Sequence, residues 1–163
     1  MAVPLAPGVF TEIFGMVAAE ADARSQRAVT LMTLACEAQA KVNVSHGSHT
    51  VNTPTPAVEG SGPSVISGTL RRSITHTPVR VIMGGWTAMV GPAPGFYTPY
   101  CHPKHHYKPH PKPPADSARY GYYLETGDWG HVYPWLGPAL HMVEIVSGPV
   151  ILREVFGAPW PSL

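Results

Sequence analysis

Apolar residues recur at helical spacing along the first quarter of the chain. From about Thr11 to Val42 they stand three, four or seven positions apart, while the charged residues lie mostly elsewhere around a helix. The apolar stripe consists of Phe10, Phe14, Val17, Ala21, Ala28, Leu31, Ala35, Ala38 and Val42. The pattern predicts one long amphipathic helix, or two helices joined near residues 23–25, whose alanine-rich stripe packs closely against the rest of the fold.

A different, alternating pattern begins at Ile74 and resumes after Gly84-Gly85. Paired glycines reach the positive φ angles that a two-residue hairpin turn needs at both central positions. One face of the first strand should be buried and comprises Ile74, Val79, Val81 and Met83, while Arg80 and Ile82 lie on the opposite face. The return strand continues the alternation with Trp86, Ala88 and Val90. The sequence therefore predicts a β-hairpin, preceded by a short helical turn that carries Arg71 and Arg72.

The C-terminal third predicts one more strand and one more helix. Residues 120–127 are rich in tyrosine and end at a glycine, which is typical of a strand before a turn. Pro134 is suited to a helix start, and the apolar pattern that follows it is interrupted at Gly148-Pro149, where we expect the helix to bend or split. The predicted fold is α+β, with a long N-terminal helix and a C-terminal helix packed on a small antiparallel sheet.

Proline and glycine separate these elements. We expect a single domain over residues 1–163, with extended loops or arms at 43–66 and 92–119. The second is a long Pro/His-rich loop, in which proline forbids a regular helix or a central strand.

Composition gives no support to several classes of protein. The net charge of +1 with 13% charged residues gives no basic field of the kind that duplex binding usually needs. The longest apolar runs fall short of the ~20 residues that span a bilayer, and the first residues do not look like a secretory signal. We therefore expect no membrane. Two cysteines are too few to staple a fold of this size, so we also expect a reducing compartment.

Five short motifs occur in a fixed order along the chain. They are GSGP at 60–63, SGTLRRSI at 67–74, VG at 90–91, YGYYLETG at 120–127 and PWLGPAL at 134–140. Their order and spacing resemble the neck or tail-completion proteins of long-tailed double-stranded DNA bacteriophages, over roughly residues 15–156. The chain departs from the family pattern at residues 65–68, where the family has a Thr-Gly pair, and in an apparent insertion at 95–118.

The resemblance implies a structural role in the virion and no catalysis. It implies a ring of identical subunits at the head-tail joint, expected to be a hexamer, in contact with head-closure or connector proteins and with tail proteins. Genomic DNA would pass through the lumen without sequence-specific contact. No cofactor or metal is expected.

The residues themselves offer a candidate subunit interface. Arg71 and Arg72 lie side by side on a short turn, and a bidentate pair with Glu125 of a neighbouring subunit would fix the geometry of a contact. The expected interface comprises Arg71, Arg72, Tyr120, Tyr122, Tyr123 and Glu125. The alternatives are a solvated basic turn and a solvated glutamate at the end of a strand.

The Pro/His-rich loop offers a second candidate surface. Its docking residues are expected to be Tyr100, Lys104, His105, His106, Tyr107 and Lys108. Cys101 and the neighbouring histidines have spacings that zinc accepts, but the prolines and lysines between them describe an extended cationic arm. Docking on a neighbouring ring protein is the first interpretation, and a small metal- or nucleic-acid-binding accessory protein is the alternative. Since no P-loop, GxSxG, HExxH or paired carboxylate is present, we expect no enzyme.

Overall fold

One continuous helix, α1 (Val9–Asn43), runs through the computed structural model, which describes residues 9–45, 60–63, 68–94, 117–127 and 132–160. At 35 residues it is about 50 Å long and does not divide near residues 23–25. The described elements are helices around short antiparallel strands, which confirms the predicted α+β class.

The buried side of α1 differs from the predicted stripe. Phe14 and Val42 are 69% and 54% exposed, and Ala38 is also exposed. The buried positions are Arg24, Ala28, Thr33, Cys36, Ala40 and Asn43. The stripe was misplaced because polar residues with partners inside the fold occupy buried positions, whereas the helix's first turns extend past the elements that cover its middle.

A short helix and four strands form the next unit. These are α2 (Thr69–Ser73), β1 (Ile74–His76), β2 (Arg80–Ile82), β3 (Gly85–Thr87) and β4 (Val90–Pro92). β1 pairs with β4 and β2 pairs with β3, both antiparallel, so the predicted hairpin is present with a break in its ladder. At the break the Thr77 amide donates to the Met89 carbonyl at 2.9 Å and the Met89 amide donates to the Thr77 hydroxyl at 3.0 Å.

The hairpin turn lies one residue before its predicted place. Ile82 pairs with Gly85, so the central residues are Met83 and Gly84, with φ of 43° and 83°. The prediction that Val81 and Met83 are buried is wrong, since they are 57% and 106% exposed. Ile74 at the base of the hairpin is in the core, whereas the residues at and just before its turn are exposed.

The predicted third strand is wrong, because residues 117–126 form a helix, α3 (Ser117–Thr126). Gly121 and Leu124 are both buried. Residues three apart share a face of a helix but point to opposite faces of a strand, so only the helix places both in the core. The helix also shortens the predicted 92–119 loop, since Pro92 ends β4 and Ser117 begins α3. Residues 95–116 lie outside the described part of the chain.

The predicted 43–66 loop also begins later than expected. Asn43 is the last residue of α1, and Val44 after it is 3% exposed. Residues 46–59 and 64–67 lie outside the described part of the chain. Between them, the Gly60 amide donates to the Val132 carbonyl at 2.9 Å.

The C-terminal helix changes its geometry just before Gly148-Pro149, where a bend or split was predicted, but its helical run is continuous. It consists of α4 (Leu136–Met142), a π-helical turn (Val143–Ser147) and α5 (Gly148–Gly157). Pro149 lacks an amide hydrogen, and its ring conflicts with the carbonyl four residues earlier, which the wider turn relieves. Gly148 suits this position because a Cβ there would lie 2.6 Å from the Val143 carbonyl oxygen.

The core draws on α1, α2, β1, α3 and α4. Its buried members are Cys36, Ala40, Val44, Leu70, Ile74, Leu124, Trp135 and Ala139. The helices among the described residues include none with the length and apolar character needed to cross a membrane. That one domain spans residues 1–163 stays a prediction.

Candidate interaction surfaces

Arg71 and Arg72 project from α2 because its other side is anchored in the core. Leu70 and Ser73 are buried, and the Ser73 hydroxyl donates to the Leu70 carbonyl oxygen at 2.7 Å. Both arginines are exposed and border an open depression next to the end of α1. Three cations and a glycine line this depression: Lys41, Gly68, Arg71 and Arg72. The two arginines thus contribute to one cationic surface.

A carboxylate beside this depression joins α1 to the hairpin. Glu37 accepts hydrogen bonds from the His76 ring and from the Lys41 ammonium group. The hydrogen bond from His76 contributes most to lowering the pKa of Glu37, and the hydrogen bond from Lys41 lowers it further. The Lys41 charge is therefore partly offset, whereas no described carboxylate forms an ion pair with Arg71 or Arg72.

Glu125 acts within its own chain, at the start of α4. One carboxylate oxygen accepts hydrogen bonds from the amides of Trp135 and Leu136 at 2.8 and 2.9 Å, and the other accepts from the Gly137 amide at 2.7 Å. Helix α4 has no side-chain cap of its own, since Trp135 occupies the N-cap position. A negative charge is favourable at a helix N-terminus, so Glu125 caps α4 from α3.

This cap is not evident from local spacing, because its donors follow the acceptor by ten to twelve residues. One signal is present in the sequence, namely that PWLGPAL starts a helix without Ser, Thr, Asp or Asn at the cap position. The pairing of Glu125 with an arginine of a neighbouring subunit stays a prediction, and it now competes with three hydrogen bonds inside the chain.

Trp135 joins three helices beneath this cap. It is 2% exposed, its indole N–H donates to the Gly121 carbonyl at 3.0 Å, and its own carbonyl accepts from the Asn43 amide group at 2.8 Å. A Cβ at Gly121 would lie 3.1 Å from Trp135 and 3.0 Å from Pro92. Glycine at position 121 therefore allows α3 to approach the indole and β4 closely.

The tyrosines of α3 lie on its less buried sides. Tyr122 is 58% exposed and Tyr123 is half-buried, and their rings meet edge to face with centroids 5.9 Å apart. Tyr120 belongs to the same helix. Tyr122 is thus available to a partner, which is compatible with the predicted interface on a helix instead of a strand.

A buried arginine fixes the end of α5 against α1. Arg24 is 7% exposed, and its guanidinium donates to the carbonyls of Val155 at 3.2 Å, Ala158 at 2.8 Å and Pro159 at 2.7 Å. It also pairs with Glu20 at 2.7 Å and stacks over the Trp160 ring at 4.5 Å from the centroid. The cation satisfies carbonyl groups that the end of a helix leaves without partners.

Apolar side chains are exposed on α1, on the hairpin and on the C-terminal helix, and we define a surface on each of the last two elements. The first surface, which we call the hairpin tip, comprises Val81, Ile82 and Met83. The second, which we call the helix row, comprises Met142, Val146 and Val150 on the C-terminal helix, at 38%, 48% and 60% exposure. Contiguous exposed apolar patches mark contact sites more often than single exposed residues do.

The predicted docking arm lies outside the described residues; its members are Tyr100, Lys104, His105, His106, Tyr107 and Lys108. Across the ranges that are described, no group of three or more His, Cys, Asp or Glu side chains is placed to hold a metal ion. Comparison with protein-family models, with curated proteins and with solved structures finds no match for this chain.

Proposed function

We propose that this chain is a structural protein of a long-tailed double-stranded DNA phage, and that it forms a ring at the head-tail joint. The motif order of the sequence supports this role. The observation that carries the proposal is the presence of two different exposed apolar surfaces, the hairpin tip and the helix row, on one subunit. A closed ring requires two unlike patches on each subunit, whereas a two-fold dimer requires only one.

The other predicted surfaces have roles in the same proposal. Arg71 and Arg72 form a cationic surface suited to an acidic neighbour or to the phosphates of passing DNA. The residue 95–116 segment is proposed to dock on a neighbouring connector or tail protein. Genomic DNA would cross the lumen without base-specific contacts, and the ring is expected to contain six copies in the virion.

Electron microscopy tests this function directly. Negative-stain images of the purified protein at increasing concentration should show rings, and phage particles lacking the protein should accumulate as full heads separated from tails. A protein that stays monomeric, leaves head-tail joining intact when deleted, and takes up zinc or oligonucleotide would support the accessory-protein alternative instead.

A second experiment addresses the arm. Replacing residues 95–116 with a short Gly/Ser bridge should leave a folded protein that forms rings but no longer joins heads to tails. A variant in which the sequence of residues 95–116 is shuffled keeps the length of the segment and serves as the matched control. Normal joining by either variant would remove the docking role from this segment.

A further inference from the structure

The two faces of the hairpin differ in what covers them. In the β2–β3 pair Val81 lies opposite Trp86, so their side chains share a face. The Trp86 indole N–H donates to the Asp22 carboxylate of α1 at 2.8 Å, so this face is directed towards α1. Arg80 and Ile82 alternate with Val81 and therefore lie on the face directed away from α1.

That outward face is open and partly apolar. Ile82 is 51% exposed, Arg80 is exposed, and the residue opposite Ile82 is Gly85, which adds no side chain. At the turn, Met83 takes a positive φ that favours glycine or asparagine, although its side chain is fully exposed. A flexible thioether at such a position is suited to contact with a partner surface.

The helix row ends in an acidic residue. Met142 in α4, Val146 in the π-helical turn, and Val150 and Glu154 in α5 follow one another at intervals of four. Val150 and Glu154 share one side of α5, and Glu154 is exposed. The row is held in place by the contact between Arg24 and the end of α5. It is therefore an apolar strip with a negative charge at one end, and the exposed Arg153 points about a hundred degrees around α5 from Glu154.

The two surfaces match in charge and in spacing. Arg80 is the sole charged residue between Thr77 and Val90, so the outward hairpin face is apolar with one positive charge. Ile82 and Arg80 are two strand residues apart, about 6.6 Å, and Val150 and Glu154 are four helix residues apart, about 6 Å. When Ile82 lies over Val150, Arg80 is therefore level with Glu154.

We propose that the outward hairpin face of one copy, formed by Arg80, Ile82 and Met83, docks on the helix row of a second copy. Ile82 and Met83 cover Val150 and Val146, and Arg80 pairs with Glu154. The contact joins unlike surfaces, so each subunit uses its hairpin towards one neighbour and its helix row towards the other. This inference rests on the proposed ring and names the contact that closes it.

Cysteine cross-linking tests the contact in the full chain, with Cys36→Ala and Cys101→Ser removing the native thiols. An Ile82→Cys variant mixed with a Val150→Cys variant should form a disulfide-linked heterodimer under mild oxidation, and the double variant should form a ladder of linked oligomers. Ile82→Cys with Phe14→Cys is the matched control, because Phe14 is an exposed apolar residue outside both surfaces. Equal cross-linking of the control pair, or dimers formed by Ile82→Cys alone, would overturn the proposal.

Charge reversal provides an independent measurement. Arg80→Glu should abolish the oligomer seen by light scattering, and adding Glu154→Arg should restore it. Adding Glu144→Arg should not restore it, because Glu144 is 78% exposed but lies off the row. Rescue by both arginines, or by neither while the single variants remain folded by circular dichroism, contradicts the pairing.

Further outcomes separate this contact from the proposed function. Rings that persist in the Arg80→Glu variant would overturn the contact and leave the ring standing, whereas a wild-type protein that is monomeric at every concentration and absent from particles would overturn both. In a Val150→Cys variant that keeps Cys101, an intramolecular disulfide would show that the chain's own 95–116 segment covers the row, which also overturns the proposal.

Discussion

Removing the Glu125 carboxylate should destabilise the fold by weakening the junction of α3 and α4. In Glu125→Ala the amides of Trp135, Leu136 and Gly137 lose their common acceptor. Loss of an N-cap typically costs about 0.5–2 kcal/mol. Because three charge-assisted hydrogen bonds are lost at a half-buried site, which water partly replaces, we expect a decrease of about 2 kcal/mol in the free energy of unfolding.

Urea denaturation followed by circular dichroism measures this change. Glu125→Gln keeps one carbonyl acceptor and should lose about half as much, roughly 1 kcal/mol. Glu144→Gln is the matched control, since that side chain is 78% exposed and should change stability by less than about 0.5 kcal/mol. Wild-type stability in Glu125→Ala would refute the capping argument, and a loss of assembly in that stable variant would favour the predicted contact with a neighbouring arginine.

Three further changes test the packing and electrostatics of the described core. Arg24→Met should lower the free energy of unfolding by about 3 kcal/mol in the same urea assay, because carbonyls at the end of α5 lose their donor. Arg27 is exposed, so the control Arg27→Met should change this free energy by less than about 0.5 kcal/mol. Gly121→Ala should lower the free energy of unfolding by about 1–3 kcal/mol, since the new Cβ would lie 3.0–3.2 Å from three side chains. A Cβ at Gly15 would have nothing within 4 Å, so Gly15→Ala should stabilise α1 by up to about 1 kcal/mol. Hydrogen bonds hold the pKa of Glu37 low, so the contribution of its carboxylate to stability is present above about pH 4.5 and is lost as the pH falls through the lowered value. The stability difference between wild type and Glu37→Gln should therefore shrink on acidification. A difference that stays constant would contradict this assignment.

The long helix and the hairpin were predictable because each has a regular period of its own. The error in the buried side of α1 has a specific cause. Arg24 and Asn43 count as polar in any periodic pattern, yet both are buried because they bond carbonyl groups of the C-terminal third of the chain. A period can assign a side chain to a side of the helix, but it cannot show which polar residues will find partners more than ninety positions away.

The tyrosine-rich segment was misassigned for a different reason. Tyr122 and Tyr123 favour a strand by intrinsic preference. Tertiary packing decides otherwise, because Gly121 and Leu124 must reach the same core from one face, and Glu125 must face the start of α4. Local preference is worth about 1 kcal/mol at most, so the buried contacts and the cap outweigh it.

The motifs that carry the phage resemblance coincide with the residues that hold the fold together. SGTLRRSI contributes the buried Leu70 and Ile74, YGYYLETG contributes the close approach at Gly121 and the cap at Glu125, and PWLGPAL contributes the buried Trp135. The resemblance is therefore an argument about architecture before it is an argument about contacts. The hairpin tip and the helix row lie outside these motifs and have no part in the core. Assembly is thus expected to depend on side chains that the fold leaves free to change, and for this reason the decisive substitutions are at Arg80 and Glu154.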